Sequence, residues 1–380
     1  MTKAIVGGRV ITMAGPVHDP GYVLLDRGRI LAVGDLAELE MPDGAEVIDA
    51  AGRVIMPGLV EAHCHVGILE EIYREEGDDT NEISDPVTPQ LRAIDAINPE
   101  DLAIADARRG GVTTIGVGPG SANAIGGENL VMKTHPAATM EELVVLNPSG
   151  LKMALGENPK RIYSAQQKAP RTRMATAALI RQTLVSALNY MKKPEADRDR
   201  DLKLEPMVRA LKRESRVHIH AHRSDDIMTA VRIAEEFGLD LVMIHGTEGH
   251  KIAGELAQRG IPVVVGPTLG TRAKVELKDK SFKTPSRLLE SGVKVALMTD
   301  HPVIPIQYLC LCAALAVKEG MPEEEALKAI TINAAEILGV DRRVGSLEPG
   351  KDADILVLSG SILEVATQVE KVFIGGEQVV

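Results

Sequence analysis

Several histidines of this chain fall in short, regularly spaced groups. Residues 57–67 read PGLVEAHCHVG, so an apolar run of strand composition ends in His63 and His65. Side chains two apart on a strand project to one side, and two neutral imidazoles on one face chelate a cation. A lone HxH arises readily by chance, since a buried histidine is more often only hydrogen-bonded. Three further runs repeat the arrangement. RVHIHAHRSDD carries His218, His220 and His222 at spacing two, DLVMIHGTEGH ends its apolar run in His245, and KVALMTDHPVIP ends in Asp300 followed by His301. Four separate runs, each finishing in a ligand-type residue, point to a metal site.

Such residues need a frame that brings strand ends together. Strand-like runs fall at 59–63, 112–117, 151–155, 217–221, 241–245, 262–266 and 293–299, with helical stretches at 99–109, 174–191, 225–237, 248–258 and 286–291. Alternating β and α segments imply a parallel sheet in an α/β fold. The length of the middle suits a closed (β/α)8 TIM-like barrel, where the C-terminal ends of all strands meet at one rim. Seven strands stand out; NLVMKT at 129–134 is the candidate eighth, and two helical segments, 307–318 and 323–338, follow the last strand. Both chain ends are β-rich, with AIVGGRVIT and YVLLDRGRILAVG at one and ADILVLSG and VEKVFIGGEQVV at the other. An isolated hairpin is marginal, so the termini are expected to fold together as a small β-sandwich. The expected division is 1–57 plus 345–380 for that domain and 58–344 for the barrel.

Composition bounds the function. Of 380 residues 44% are hydrophobic and only 2% aromatic, with no Trp, so the core must be built from Val, Ile, Leu, Ala and Met. The 54 acidic against 43 basic residues give a net charge of -11, which repels phosphate backbones and anionic lipid. The partner expected is therefore a small-molecule substrate, with neither nucleic acid nor membrane. Cys64, Cys310 and Cys312 are too few for a disulfide framework and fit a reducing compartment. The start, MTKAIVGGRVITMAG, lacks the apolar core of a signal peptide, so a cytoplasmic location is expected.

With these motifs in place, the chain resembles the amidohydrolase superfamily of metal-dependent hydrolases over nearly its whole length, and most closely its imidazolonepropionase-like branch. PGLVEAHCH is similar to the first-strand signature, HAHRSDD and MIHG to the fifth and sixth strands, and LMTDHPV to the eighth; GSLEPGKDADILVL and VEKVFIGGEQV look like the returning β domain. The resemblance implies that His63 and His65 hold a first metal, that His220 and His245 are further ligands, and that Asp300 is ligand and proton shuttle. Matching HIHA to the fifth-strand His-Ala selects His220, places His222 near the substrate carbonyl and leaves His218 deeper as packing. Asp300, His222 and His245 would then form the catalytic group. Many family members bridge two metals with a carbamylated lysine or a glutamate. In GLKMALGENPKR the run places Lys152 near the start of its strand, far from the rim, so Glu157 is the expected bridging ligand. Glu61 departs from the Asp or Asn usual in the family.

Amides resist water because the carbonyl is a poor electrophile and the amine a poor leaving group. One or two divalent ions, zinc by ligand type with manganese, iron, cobalt and nickel open, would polarise the carbonyl and supply hydroxide, while Asp300 moves the proton. The activity implied is hydrolysis of a C–N bond in a small amide, cyclic amide or dipeptide. Alternatives are N-acetyl deacetylation, deamination and, in another class, an inactive scaffold or a periplasmic metal-binding protein. Lys160, Arg161, Lys168, Arg171 and Arg173 follow Glu157 closely, and a substrate carboxylate would suit Arg161 and Arg173, with His301 beside Asp300 as a further contact. The acidic stretch 67–98 reads as a lid, an oligomer contact or a solvated insertion. The glycine-rich 118–134 lacks the order of a phosphate loop and should bring backbone close to the rim, offering Ser121, Asn123, Glu128 or His135 to a substrate. Hydrolases of this kind are often homo-oligomers, though no surface stripe in the sequence demonstrates it.

Overall fold

Runs rich in Val, Ile, Leu and Met form eight strands: β1 (Leu59–Cys64), β2 (Val112–Val117), β3 (Ile125–Lys133), β4 (Val144–Ala154), β5 (Arg216–Ala221), β6 (Leu241–His245), β7 (Val263–Val265) and β8 (Val295–Leu297). This is a computed structural model, describing residues 2–72, 75–194 and 199–380. The strands pair in chain order from β1 to β8 as one sheet. The strand expected at 129–134 is thus present and begins earlier. Its direction corrects the expectation of an all-parallel barrel: β3 is antiparallel to both β2 and β4, whereas the other neighbours are parallel. The segment 118–124 carries no helix and turns the chain back at the rim, so β3 runs from the rim down.

The ladder joins seven neighbouring pairs, and the seam from β8 back to β1 is joined by other groups. Glu61 Oε2 accepts from Thr299 N at 2.8 Å and Thr299 Oγ1 at 2.7 Å, and its Oε1 accepts from His63 N at 3.0 Å. Beside it His65 N donates to His301 O at 3.0 Å. A buried glutamate is therefore part of the closure.

Helices Leu102–Arg109, Ser224–Phe237 and Thr284–Glu290 return the chain between strands, and three helices, Glu157–Ala165, Arg173–Lys192 and Leu204–Leu211, lie between β4 and β5. The stretch expected as one helix at 323–338 is two, Glu323–Ala329 and Ile332–Leu338, and the one at 248–258 begins as a 3-10 turn before Ala253–Gln258. Alternation along the strands sorts their side chains. Val217, Ile219, Met243, Val263 and Val295 belong to the large core shared with the helices, while Val242, Ile244, Val264 and Ala296 pack with Ala334, Ala335 and Leu338 of helix Ile332–Leu338.

Both chain ends build the second layer. Strands Lys3–Val6, Gly21–Asp26, Arg29–Asp35 and Glu46–Asp49 form one sheet; Arg9–Ile11, Val17–His18, Val54–Pro57, Ile355–Leu358, Val369–Ile374 and Glu377–Gln378 form the other. Ile5, Val23 and Leu25 from the first face Val10, Ile55, Ile355 and Phe373 from the second, which makes a β-sandwich. Among the described residues no helix is long and apolar enough to cross a membrane. The stretch 67–98 is largely irregular, with residues 73 and 74 outside the described residues.

Candidate metal centre

At the rim the strand ends bring two histidine groups together. His63 and His65, from the end of β1, meet Asp300, which follows β8; His220 and His222, from β5 and just beyond it, meet His245 at the end of β6. Within each group the nearest ligand atoms lie within 4.8 Å of one another. Asp300 Oδ1 is 3.7 Å from His63 Nε2 and 3.5 Å from His65 Nε2. The rings of His220 and His245 are 4.3 Å apart, those of His222 and His245 4.5 Å, and His63 lies 6.3 Å from His245. The two groups are therefore neighbours.

Hydrogen bonds at the far side of each ring orient the near side. His65 Nδ1 donates to Gly118 O at 2.8 Å and His245 Nδ1 to Gly266 O at 2.7 Å; a carbonyl only accepts, so in the neutral ring each Nε2 carries a lone pair. His220 Nδ1 pairs with Ser121 Oγ at 2.9 Å and His222 Nδ1 with Thr247 Oγ1 at 2.8 Å. The antiparallel β3 matters here, because the turn leading into it supplies both Gly118 and Ser121. The Nε2 atoms of His220 and His222 are buried without a hydrogen-bond partner. Buried lone pairs converging without a donor fit a divalent cation, and an all-imidazole and carboxylate set suits zinc among others.

Electrostatics agree. Burial lowers the His63, His220 and His245 rings well below the usual histidine value and His222 to about 4, so all four rings are neutral near pH 7, the form that can bind a cation. For Asp300 burial alone would raise the carboxyl, yet the His65 hydrogen bond and the neighbouring His245, His65 and Lys152 hold it below the ordinary carboxylate range. Burial pushes Glu61 up to about 8. His245 and Asp300 both adopt left-handed backbone, φ 74° and φ 54°, a conformation non-glycine residues rarely hold and one that clusters at functional sites.

Three placements differ from the sequence expectation. Lys152 is near the end of β4, because that strand spans Val144–Ala154; it is completely buried, and its Nζ lies 2.9 Å from His63 Nε2. Burial lowers it to about 8. Glu157, expected as the bridge, opens helix Glu157–Ala165 and belongs to neither histidine group. His222, expected beside the substrate carbonyl, lies within ligand distance of His220 and His245, and His218 is deeper, 1% exposed.

A cavity of about 510 Å³ opens over the site, lined by His65, His220, His222, His245 and Asp300 with Leu69, Asn81, Ser121, Asn158, Lys274 and Lys280 among its walls. The stretch 67–98 thus contributes a wall. Arg161 is exposed, and Arg173 Nε is held by Asp226 at 2.8 Å and 3.0 Å; neither lines the cavity, where the cationic groups are Lys274 and Lys280. His301 turns away, its Nδ1 accepting from Ile306 N at 3.2 Å and its Nε2 3.3 Å from Glu71. Of the glycine-rich segment Ser121 reaches the site, while Asn123 holds Tyr163 and Glu128 holds Arg209. Sequence reasoning also passed over Glu276, which is 2% exposed and has Oε1 3.6 Å from His222 Nε2. It comes from a segment without strand periodicity, so no pattern singled it out.

Comparison with known proteins follows the same geometry. A structure of an amidohydrolase from Thermotoga maritima MSB8 superposes with TM-score 0.96 at 45% identity, covering 99% of each chain. Among curated proteins, amidohydrolase tasK of Hapsidospora irregularis is 30% identical over 94% of this chain, which spans only 39% of that protein. The imidazolonepropionase of Symbiobacterium thermophilum is 27% identical over 93% of this chain and 90% of its own. The amidohydrolase family's sequence pattern matches residues 54–379, so this chain belongs to the amidohydrolase family of enzymes acting on carbon–nitrogen bonds.

Proposed function

We propose that the chain hydrolyses a C–N bond in a small amide, cyclic amide or dipeptide, using one or two divalent ions, zinc by ligand type. The observation that carries this reading is the pair of adjacent ligand groups, His63, His65 and Asp300 beside His220, His222 and His245, with Lys152 next to them. When bound, such an ion polarises a carbonyl and lowers the pKa of water toward neutrality. The chain's own residues do the rest. Asp300 takes a proton from the attacking water and returns it to the departing nitrogen, base then acid. Its depressed carboxyl keeps it ionised for the first step. His65 and His245 stay fixed by the Gly118 and Gly266 carbonyls, so neither ring rotates during turnover.

Lys152 replaces Glu157 as the bridging residue in this reading. A lysine lowered to about 8 exposes a free amine at mildly alkaline pH, and that amine adds to carbon dioxide with loss of one proton to give a carbamate, an anionic ligand. A cavity of about 510 Å³ suits a small substrate rather than a folded partner. Lys274 and Lys280 in its wall favour one carrying a carboxylate.

The test combines metal content with one variant. Elemental mass spectrometry of chelator-free protein should find one or two transition-metal equivalents per chain, with the equivalent at His63 and His65 lost in His63→Ala. Asp300→Asn should fold yet turn over about 10²–10⁴-fold more slowly. An unchanged kcat, or no metal in the wild type even after zinc is added, would sink the assignment.

A further inference from the structure

Glu276 lies in the 3-10 turn Val275–Leu277, within the segment that follows β7 and overhangs the cavity. One carboxylate oxygen is used: Oε2 accepts from Glu157 N at 3.0 Å. The other, Oε1, is buried and has no hydrogen-bond partner. Its neighbours are His222 Nε2 at 3.6 Å, His220 Nε2 at 3.9 Å and Lys274 Nζ at 3.6 Å, all beyond hydrogen-bond length. The two imidazole nitrogens are themselves buried and unpartnered, each ring being anchored through Nδ1. One oxygen and two nitrogens thus face one another with no hydrogen bond made by any of the three and Lys274 as the neighbouring cation, although a single unsatisfied buried group costs about 1–3 kcal/mol.

The position is built rather than incidental. Gly156 has φ 83°, and a Cβ there would sit 2.9 Å from Glu276 Oε2, so the chain passes the carboxylate where glycine alone fits. Lys274 Nζ donates to Asn158 Oδ1 at 2.8 Å, tying the same two segments together a second time. Separations of 3.6–3.9 Å between Oε1 and the two nitrogens are close to the roughly 3.4 Å expected between ligand atoms on one tetrahedral zinc ion.

We propose that Glu276 is a further ligand of an ion held by His220 and His222, supplied from outside the strand ends. The assignment rests on the reading that this histidine group binds metal. It carries a consequence for the cavity: the ion ties the segment after β7 to β5, so metal loading orders the roof under which substrate binds.

The experiment titrates zinc into the chelator-stripped full chain against a chromophoric competitor, for wild type, Glu276→Gln and Glu276→Asp. Glu276→Gln keeps an oxygen for Glu157 N, and thermal unfolding of the metal-free forms checks that both variants fold. The expected result is two ions per wild-type chain, one of them weakened about 10–100-fold in both variants. Hydrogen exchange supplies the second readout: amides in 270–280 slow on zinc addition in wild type and do not in the variants. Wild-type affinity for both ions together with full metal-dependent protection in Glu276→Gln overturns the proposal and leaves the metal reading intact. Identical zinc binding by wild type and His220→Asn shows that this histidine group holds no ion and overturns both.

Discussion

Two buried lysines at opposite ends of the barrel live in different surroundings. Lys133, at the end of β3 away from the rim, pairs with Asp354 and lies 3.1 Å from Asp352, which also takes Arg343 at 2.9 Å and Arg29 at 2.5 Å. Lys152, at the rim, is completely buried with His63 Nε2 as its hydrogen-bonding neighbour, and burial lowers it to about 8. The first lysine is matched by carboxylates that join barrel to β-sandwich, and so is structural. Beside the second stand imidazoles with bare nitrogens and two residues in left-handed backbone. Buried charge left incompletely matched is tolerated where a ligand completes it, and that asymmetry separates the candidate site from the supporting end.

The sharpest way to break this contrast is to replace each lysine by methionine. Lys152→Met should lower kcat or metal affinity about 100-fold or more while the metal-free protein melts at the wild-type temperature or above, because a poorly matched buried amine is removed. Lys133→Met should do the reverse, leaving turnover per folded molecule unchanged and costing about 3–5 kcal/mol in denaturant titration, since Asp354 and Asp352 lose a partner. Equal stability losses in the two variants would erase the distinction. A smaller effect is expected at the seam. Glu61→Gln can no longer accept from Thr299 and His63 with both oxygens and should cost about 1–3 kcal/mol, with weaker retention of the ion at His63 and His65. Least of all, Arg161→Ala should leave KM for an acidic substrate unchanged and stability within about 0.5 kcal/mol, because the side chain is solvent-exposed.

Much of the candidate site was legible because its residues stand at strand ends. His63, His65, His220, His245 and Asp300 each close an apolar run, and the topology gathers run ends at one rim whatever their distance in sequence. Lys152 was misplaced for a specific reason. The run was read as 151–155, whereas pairing with the antiparallel β3 extends the strand to Val144–Ala154, and that non-local pairing leaves no local signature. Glu276 was missed because its segment has neither period 2 nor period 3.6. Arg173 illustrates the converse error: its charge drew attention, while the carboxylate that neutralises it, Asp226, lies 53 residues further along. The glycines at 118–134 were rightly read as bringing backbone to the rim, but the two contacts that follow, Gly118 with His65 and Ser121 with His220, require the folded turn.

The seam between β8 and β1 has a consequence for how the enzyme is assembled. Glu61 and Thr299 are 238 residues apart, so joining them closes a loop of most of the chain, and the entropy of that closure is met only when both strands are already in place. His63 and His65 lie on one side of the join and Asp300 on the other, whereas His220, His222 and His245 come from strands that pair directly with each other. The second group can therefore form with its local β5–β6 unit, and the first appears only with the last ring closure. An ion bound there would act as a clasp on the whole barrel, and transient opening at this seam would release it without disturbing the His220, His222 and His245 group.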